Sequence, residues 1–444
     1  MPVASAWLLG ACGNSDTAPA DTAPATLGLD TVTDLGPAYA NSSINTSVFR
    51  QQSILALGDG RHAVSYFDEV GDACIDVLSA ANARIRSVHA DPPIDRRLLA
   101  DGHCSINLGL SVDGSVHFIY GAHGTLPIYG SITLAALLDV ASPARISGSV
   151  WRQTITYPQF YRFGDELQLW FRSDPDNTIQ FVRYDPAAGT LAATPVSVLA
   201  ANGLEGPYMN QLAQLGDRLA LSWVYRVPST DGIVRNEGLY VAMSDDAGVT
   251  WKTRGGAALA MPIGRSTLAP EIALASSLQP LNQTSSCFAP DAALYVSFYA
   301  KDAAGLHQIQ VARFGATGAP VVEVVSDNTA RYDLTGAGTL SLPLSRPQVV
   351  ASRTQVHAIY RQAGALLVAT RDRTAASGPW SLTRRAVGEL GVWEPTCCRE
   401  TWDTTQHLLV FVQMVRQGPL DTDAIGNPSA ARVFTFRTGT TPSP

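Results

Sequence analysis

Two imidazoles, two phenols and one guanidinium stand at positions where proton transfer and anion binding are open to them. His103 and His123 lie 20 residues apart and flank the short segment Ser115–Ala122. Histidine titrates near neutrality and serves as general acid or base. Tyr157 and Tyr208 carry phenols whose pKa, about 10 in isolation, falls when a cation is close. Arg172 offers a planar fork that grips a carboxylate or sulfate through two bonds. Each has a plainer reading. A lone histidine beside a strand is usually a hydrogen-bonded structural residue, and Tyr157, followed by Pro158, suits a core aromatic. Arg172 ends a predicted strand and suits an ion pair between neighbouring sheets. His117 lies within a predicted strand, where packing is the simpler role, and Arg226 reads as a rim or structural residue outside the catalytic set.

The elements that would position these side chains recur along the chain. The segments are Arg61–Asp68, Ser115–Ala122, Glu166–Ser173, Arg218–Tyr225, Ala293–Ala300, Thr354–Arg361 and His407–Gln413. Each alternates apolar and polar residues, toward an aromatic in nearly every case, with the period of a half-buried strand. Their spacing runs from 51 to 75 residues and is mostly near the short end. A period of about fifty residues fits one four-stranded blade per repeat, so the expected fold is all-β, a seven-bladed β-propeller over residues 46–440. Weaker partner strands, such as Gln308–Phe314 and Leu366–Arg371, fall between the repeats. The alternative, a set of unrelated sandwich domains, lacks a linker-like stretch after residue 45. The segment Ser244–Trp251, SDDAGVTW, is an Asp-box, a hairpin whose aspartate accepts backbone N–H bonds and whose glycine permits positive φ. Its role is structural.

Composition agrees. Charged residues make up only 16% of the 444, with 37 Gly and 27 Pro, which suits strands and turns more than helices. The net charge of −7 excludes an overall basic face for nucleic acid, yet a local basic cleft on an acidic protein still suits an anionic polysaccharide. Beyond the N-terminus, no apolar run reaches the length of a membrane span. Residues 1–12 read as a lipoprotein-type signal segment, Leu9-Gly10-Ala11-Cys12 having the shape of a lipobox with Cys12 as the lipidated residue. The basic start of such a segment is missing, Met1 being followed by Pro2 and Val3, and the competing reading is an ordinary apolar tail. Residues 13–45 read as a disordered tether. The expectation is an exported monomer, an outer-membrane or periplasmic lipoprotein or a secreted protein, touching membrane only through Cys12. Five further cysteines remain, Cys74, Cys104, Cys287, Cys397 and Cys398. An odd number leaves at least one unpaired, and a bridge from Cys397 or Cys398 to Cys287 or another distant cysteine is the ordinary outcome.

Several segments, in order, resemble the BNR/Asp-box proteins that include ulvan lyases. They are Asp101–Tyr129, Thr156–Phe160 with Trp170–Arg172 and Tyr184-Asp185, and Pro207-Tyr208 with Ser222–Arg226 and Asn236. Asn282–Ser285 and Ser345–Pro347 with Trp393–Pro395 and Asp403 follow. Together they span roughly residues 50 to 435. The sequence departs from the family at Cys104, where asparagine is usual, at Asn236-Glu237 in place of Asn-His, and at the Cys-Cys-Arg segment within Thr396–Glu400.

The resemblance implies a polysaccharide lyase acting on a uronate-containing, sulfated glycan such as ulvan. In β-elimination a base removes the proton at uronate C5, the C4–O bond breaks, and an acid protonates the leaving oxygen. The carboxylate must be neutralised, because charge builds up beside it. By resemblance His103 and His123 face the central cleft and serve proton transfer and carboxylate neutralisation. By the same resemblance Tyr157 and Tyr208 match the family's active-site tyrosines, either able to act as base or acid if a nearby cation lowers its pKa, and Arg172 matches its substrate-binding arginine. No cofactor is required, and no ligand spacing in the sequence names a structural metal site. Two other functions compete. A sialidase would need an arginine triad, a Tyr/Glu pair and an Arg-Ile-Pro motif, and that motif is absent from the sequence. A non-catalytic carbohydrate-binding propeller would share the scaffold alone. Appearance of the ultraviolet-absorbing unsaturated uronate separates lyase from binder.

Overall fold

The computed structural model describes residues 27–39, 52–99, 101, 103–203, 205–228, 234–334, 343–375, 378–385, 394–413 and 429–438. The signal segment with Cys12, and Trp393, lie outside them. The repeated segments of the sequence are strands, each second in a hairpin-connected unit. In one such unit Ser286–Phe288, Leu294–Lys301, His307–Phe314 and Val321–Val324 pair antiparallel in chain order. The next does the same with Gln348–Ala351, Gln355–Gln362, Ala365–Asp372 and Ser381–Arg385.

The architecture is an all-β propeller, but the described strands do not divide into seven separate sheets as expected. Six hydrogen-bonded sheets are present among the described residues. Arg84–Asp91 pairs parallel with Arg145–Val150, and this joins two antiparallel units into one eight-stranded sheet. Sequence periodicity marks the strands and is blind to this outer-edge pairing.

Apolar alternation explains the ring. The hydrophobic clusters bridge neighbouring units of the ring. Tyr161, Trp170 and Phe181 pack with Trp223 and Tyr240. Val296 and Phe298 pack with Val224 and Val241. The last cluster returns to the first unit, since Phe411 and Val433 pack with Val64 and Cys74. Closure is completed by Leu27–Ala38, which pairs antiparallel with Ser429–Thr438 from Leu27↔Thr438 to Ala38↔Ser429. These residues fall inside the stretch expected as a disordered tether, and residues 27–38 of it are instead a paired strand. Leu27, Leu35 and Ala38 are buried in the ring's cores.

The first strand of each unit lines the axis, as shown by contacts between first strands such as Ile106–Leu110 and Ile155–Phe163. A cavity of about 1130 Å³ opens beside the C-terminal ends of these strands, against Leu110, Arg162 and Leu215. The residues singled out for chemistry lie near the opposite ends of the strands.

The five described cysteines are all free and buried, so the expected bridge does not form. Cys397 packs with Trp402 and Val410, whereas Cys398 packs with Tyr66 and Phe411, in two different cores.

Candidate active site

The segment before Ile106–Leu110 turns at Asp101, whose Oδ1 accepts from the backbone N–H of His103 at 2.9 Å. The same oxygen lies 2.9 Å from His103 Nδ1, and Oδ2 lies 2.5 Å from His123 Nδ1. His123 reaches this carboxylate from the turn after Ser115–Tyr120. Gly121 and Gly124 adopt φ of 79° and 63° there, values that a side chain would resist. The two imidazoles stack with centroids 3.8 Å apart and planes 18° from parallel. Burial pushes the Asp101 carboxyl up, but hydrogen bonds from both histidines outweigh it and hold its pKa well below the usual range. With Asp101 an acceptor at both Nδ1 atoms, each ring carries its proton on that side and turns Nε2 away.

Tyr157 continues the row. Its ring centroid is 5.9 Å from that of His103 and 6.0 Å from that of Tyr208. It sits in a β-bulge, since the pairing of Ile155–Phe163 with Glu166–Ser173 shifts between Thr156 and Gln159. Its φ is 58°, a strained value for a non-glycine residue that surrounding structure must impose. Asp174 supplies that constraint. It accepts from Thr156 Oγ1 at 2.7 Å, from the backbone N–H of Gly124 at 3.1 Å and from Arg172 Nη2 at 3.1 Å. One carboxylate thus ties the His123 turn, the Tyr157 bulge and Arg172.

Arg172 lies between the two phenols, its Cζ 5.0 Å from the Tyr157 centroid and 5.3 Å from that of Tyr208. It donates to Tyr208 Oη at 2.9 Å. Arg226 Nη1 donates to the same oxygen at 3.3 Å. Burial raises the Tyr208 pKa, but the charges of Arg172 and Arg226 and their hydrogen bonds outweigh it, and the net shift is downward. Arg172 is itself held protonated: burial opposes its charge, and Tyr157, Tyr208 and Asp174 more than offset that.

All five residues nominated from the sequence, His103, His123, Tyr157, Tyr208 and Arg172, therefore meet in one cluster built from three consecutive units. Sequence reasoning missed Asp101 and Asp174 and set Arg226 aside. The available signal was spacing, because Asp101 stands two residues before His103 and Asp174 two after Arg172. His117 is buried, bonded to Tyr129 Oη and Ser111 Oγ, as a packing residue. The segments at Asn282 and Arg346 form a separate buried node. Arg346 pairs with Glu394 at 2.9 Å and donates to the carbonyl and side chain of Asn282. Asp101, His103 and His123 also present ligand atoms within 4.8 Å of one another, donor types that suit a zinc ion. The sequence spacing had named no such set.

A ring of sheets with a cluster of histidine, tyrosine and arginine beside its axis defines a propeller protein whose titratable side chains gather in one place. The sequence profile of the BNR repeat-containing family matches residues 63–325, and the chain belongs to that family. No curated protein matches it in sequence. Among solved structures, a polysaccharide lyase of family PL25, an ulvan lyase, is similar with a TM-score of 0.65 at 14% identity, over 91% of this chain and 96% of that one. The same figures hold for that ulvan lyase bound to -[GlcA(1-4)Rha3S]-. The polysaccharide lyase Uly1 gives a TM-score of 0.60 at 11% identity, over 92% and 99%. At these identities the likeness is one of fold.

Proposed function

We propose that this protein is a polysaccharide lyase that cleaves a uronate-containing, sulfated, ulvan-like glycan by β-elimination. One observation carries the reading: the Tyr208 phenol is clasped by two guanidinium groups, which favours phenolate, beside a pair of imidazoles locked by one carboxylate. A phenolate takes the C5 proton. The electrons of that C–H bond form the C4–C5 double bond as C4–O breaks, and the leaving oxygen takes a proton from Tyr157 or an imidazole. Guanidinium charge beside the phenol offsets the substrate carboxylate and the charge that grows next to it. Fold similarity to an ulvan lyase holding a GlcA and sulfated rhamnose fragment supports the substrate class.

The test is incubation of the protein with ulvan and other uronate glycans while following the absorbance of the unsaturated uronate. Product is expected from a sulfated uronate glycan. Binding without product from any of them would reduce the protein to a carbohydrate-binding propeller. Asp101→Asn should lower turnover roughly ten- to hundredfold with binding little changed, because a carboxylate that orients a working histidine is worth about that much.

A further inference from the structure

The two arginines at Tyr208 are not equivalent. The charge of Arg172 is already answered by Asp174 at 3.1 Å, and its side chain is only 12% exposed. Arg226 is half-buried and has no carboxylate partner among the described residues. Its one hydrogen bond there is to Tyr208 Oη, with its Cζ 5.6 Å from that ring. The carboxylates nearest along its strand pairing are spoken for. Arg226 pairs in register with Gly206 and Asn236, next to Glu205 and Glu237. Arg265 holds both, bonding Glu205 at 2.7 Å and Glu237 more closely still. Of the two guanidinium groups at Tyr208, Arg226 is thus the one without a carboxylate partner among the described residues, and it is partly exposed. A guanidinium so placed pairs strongly with a planar carboxylate or a sulfate oxygen pair.

We propose that Arg226 is the residue that grips an oxyanion of the glycan, a uronate carboxylate or a sulfate ester, and that Arg172 is a positioning residue that sets the two phenols. The proposal takes its ligand class from the lyase reading and assigns the binding group within it. A substrate oxyanion at Arg226 completes the pairing that Asp174 already completes at Arg172.

Binding can be measured apart from turnover. With Tyr208→Phe as parent, calorimetric titration with native, desulfated and carboxyl-reduced ulvan compares the parent with the parent plus Arg226→Gln. Affinity for native glycan should fall about tenfold or more, the worth of a charged hydrogen bond. If the fall vanishes on desulfated glycan, the oxyanion is sulfate; if it vanishes on carboxyl-reduced glycan, it is the carboxylate. Affinity that stays within about twofold of the parent on native glycan overturns the proposal. Thermal melting checks the fold, and Arg226→Lys replaces Arg226→Gln if the latter does not melt cooperatively, with a smaller loss of the same pattern expected. Wild-type protein that yields unsaturated product while its binding ignores Arg226 sinks this assignment alone. Protein that binds through Arg226 and never yields product sinks the lyase reading alone.

Discussion

At the scale of single residues, the site is a chain of shared charges. Asp101 divides itself between two histidines, Asp174 holds three partners, and Tyr208 accepts from two arginines. The tyrosine gives a pH prediction. Its pKa is lowered because the nearby guanidinium charges outweigh burial. If Tyr208 works as phenolate, turnover rises with pH as that group loses its proton. Removing a cation raises its pKa, so Arg172→Gln should move the rising limb of the kcat profile to higher pH. A limb that stays in place would assign the base to another group. The five nominated residues were legible because their segments, taken in order, resemble those of the BNR/Asp-box proteins. Asp101 and Asp174 were not, since an aspartate in a turn is commonplace and its partners come from other units, brought near only by the ring.

At the scale of elements, the repeated alternation located its strands well, and the Asp-box was readable down to its bonds. Asp246 accepts from Ser244 Oγ at 2.8 Å, from the backbone N–H of Thr250 at 2.9 Å and from Thr250 Oγ1 at 2.6 Å. Trp251 lies buried beneath, its Nε1 donating to the Gly248 carbonyl at 3.1 Å. Asp246→Ala should therefore cost roughly 1–3 kcal/mol of stability in urea unfolding, at about 1 kcal/mol net for each bond. Activity at moderate temperature should be unchanged, because the hairpin touches none of the site residues. Strand Leu27–Ala38 escaped the sequence reading for a different reason. Its partner, Ser429–Thr438, lies some four hundred residues away, and the polar run before it reads as tether. The parallel pairing of Arg84–Asp91 with Arg145–Val150 escaped likewise, since nothing in a strand's own alternation names its edge partner.

At the scale of the whole molecule, ring closure seals histidines inside packed sheets in several units, and this ties stability to pH. Burial pushes the pKa of His62, His117 and His307 down to about 4 and that of His357 to about 3. Their surroundings agree. Among the described residues neither ring nitrogen of His307 has a partner, and the same holds for His62 Nδ1 and His357 Nε2. His307 instead stacks on Tyr332 at 4.4 Å, and His357 meets Trp402 edge-on at 5.1 Å. In the unfolded chain these imidazoles take up protons at about pH 6.5, whereas in the fold they stay neutral until much lower pH. The unfolded state therefore binds more protons between those limits. Stability is full above about pH 6.5 and drains away as pH falls toward 4. Because the groups sit in different units, their effects should add. Urea midpoints taken from about pH 7 down to about pH 4.5 should fall steeply, and His307→Phe, which keeps the stack and removes the titrating group, should flatten that fall. Midpoints that hold level over the range would show that these rings reach solvent, and with it that the sheets do not close around them.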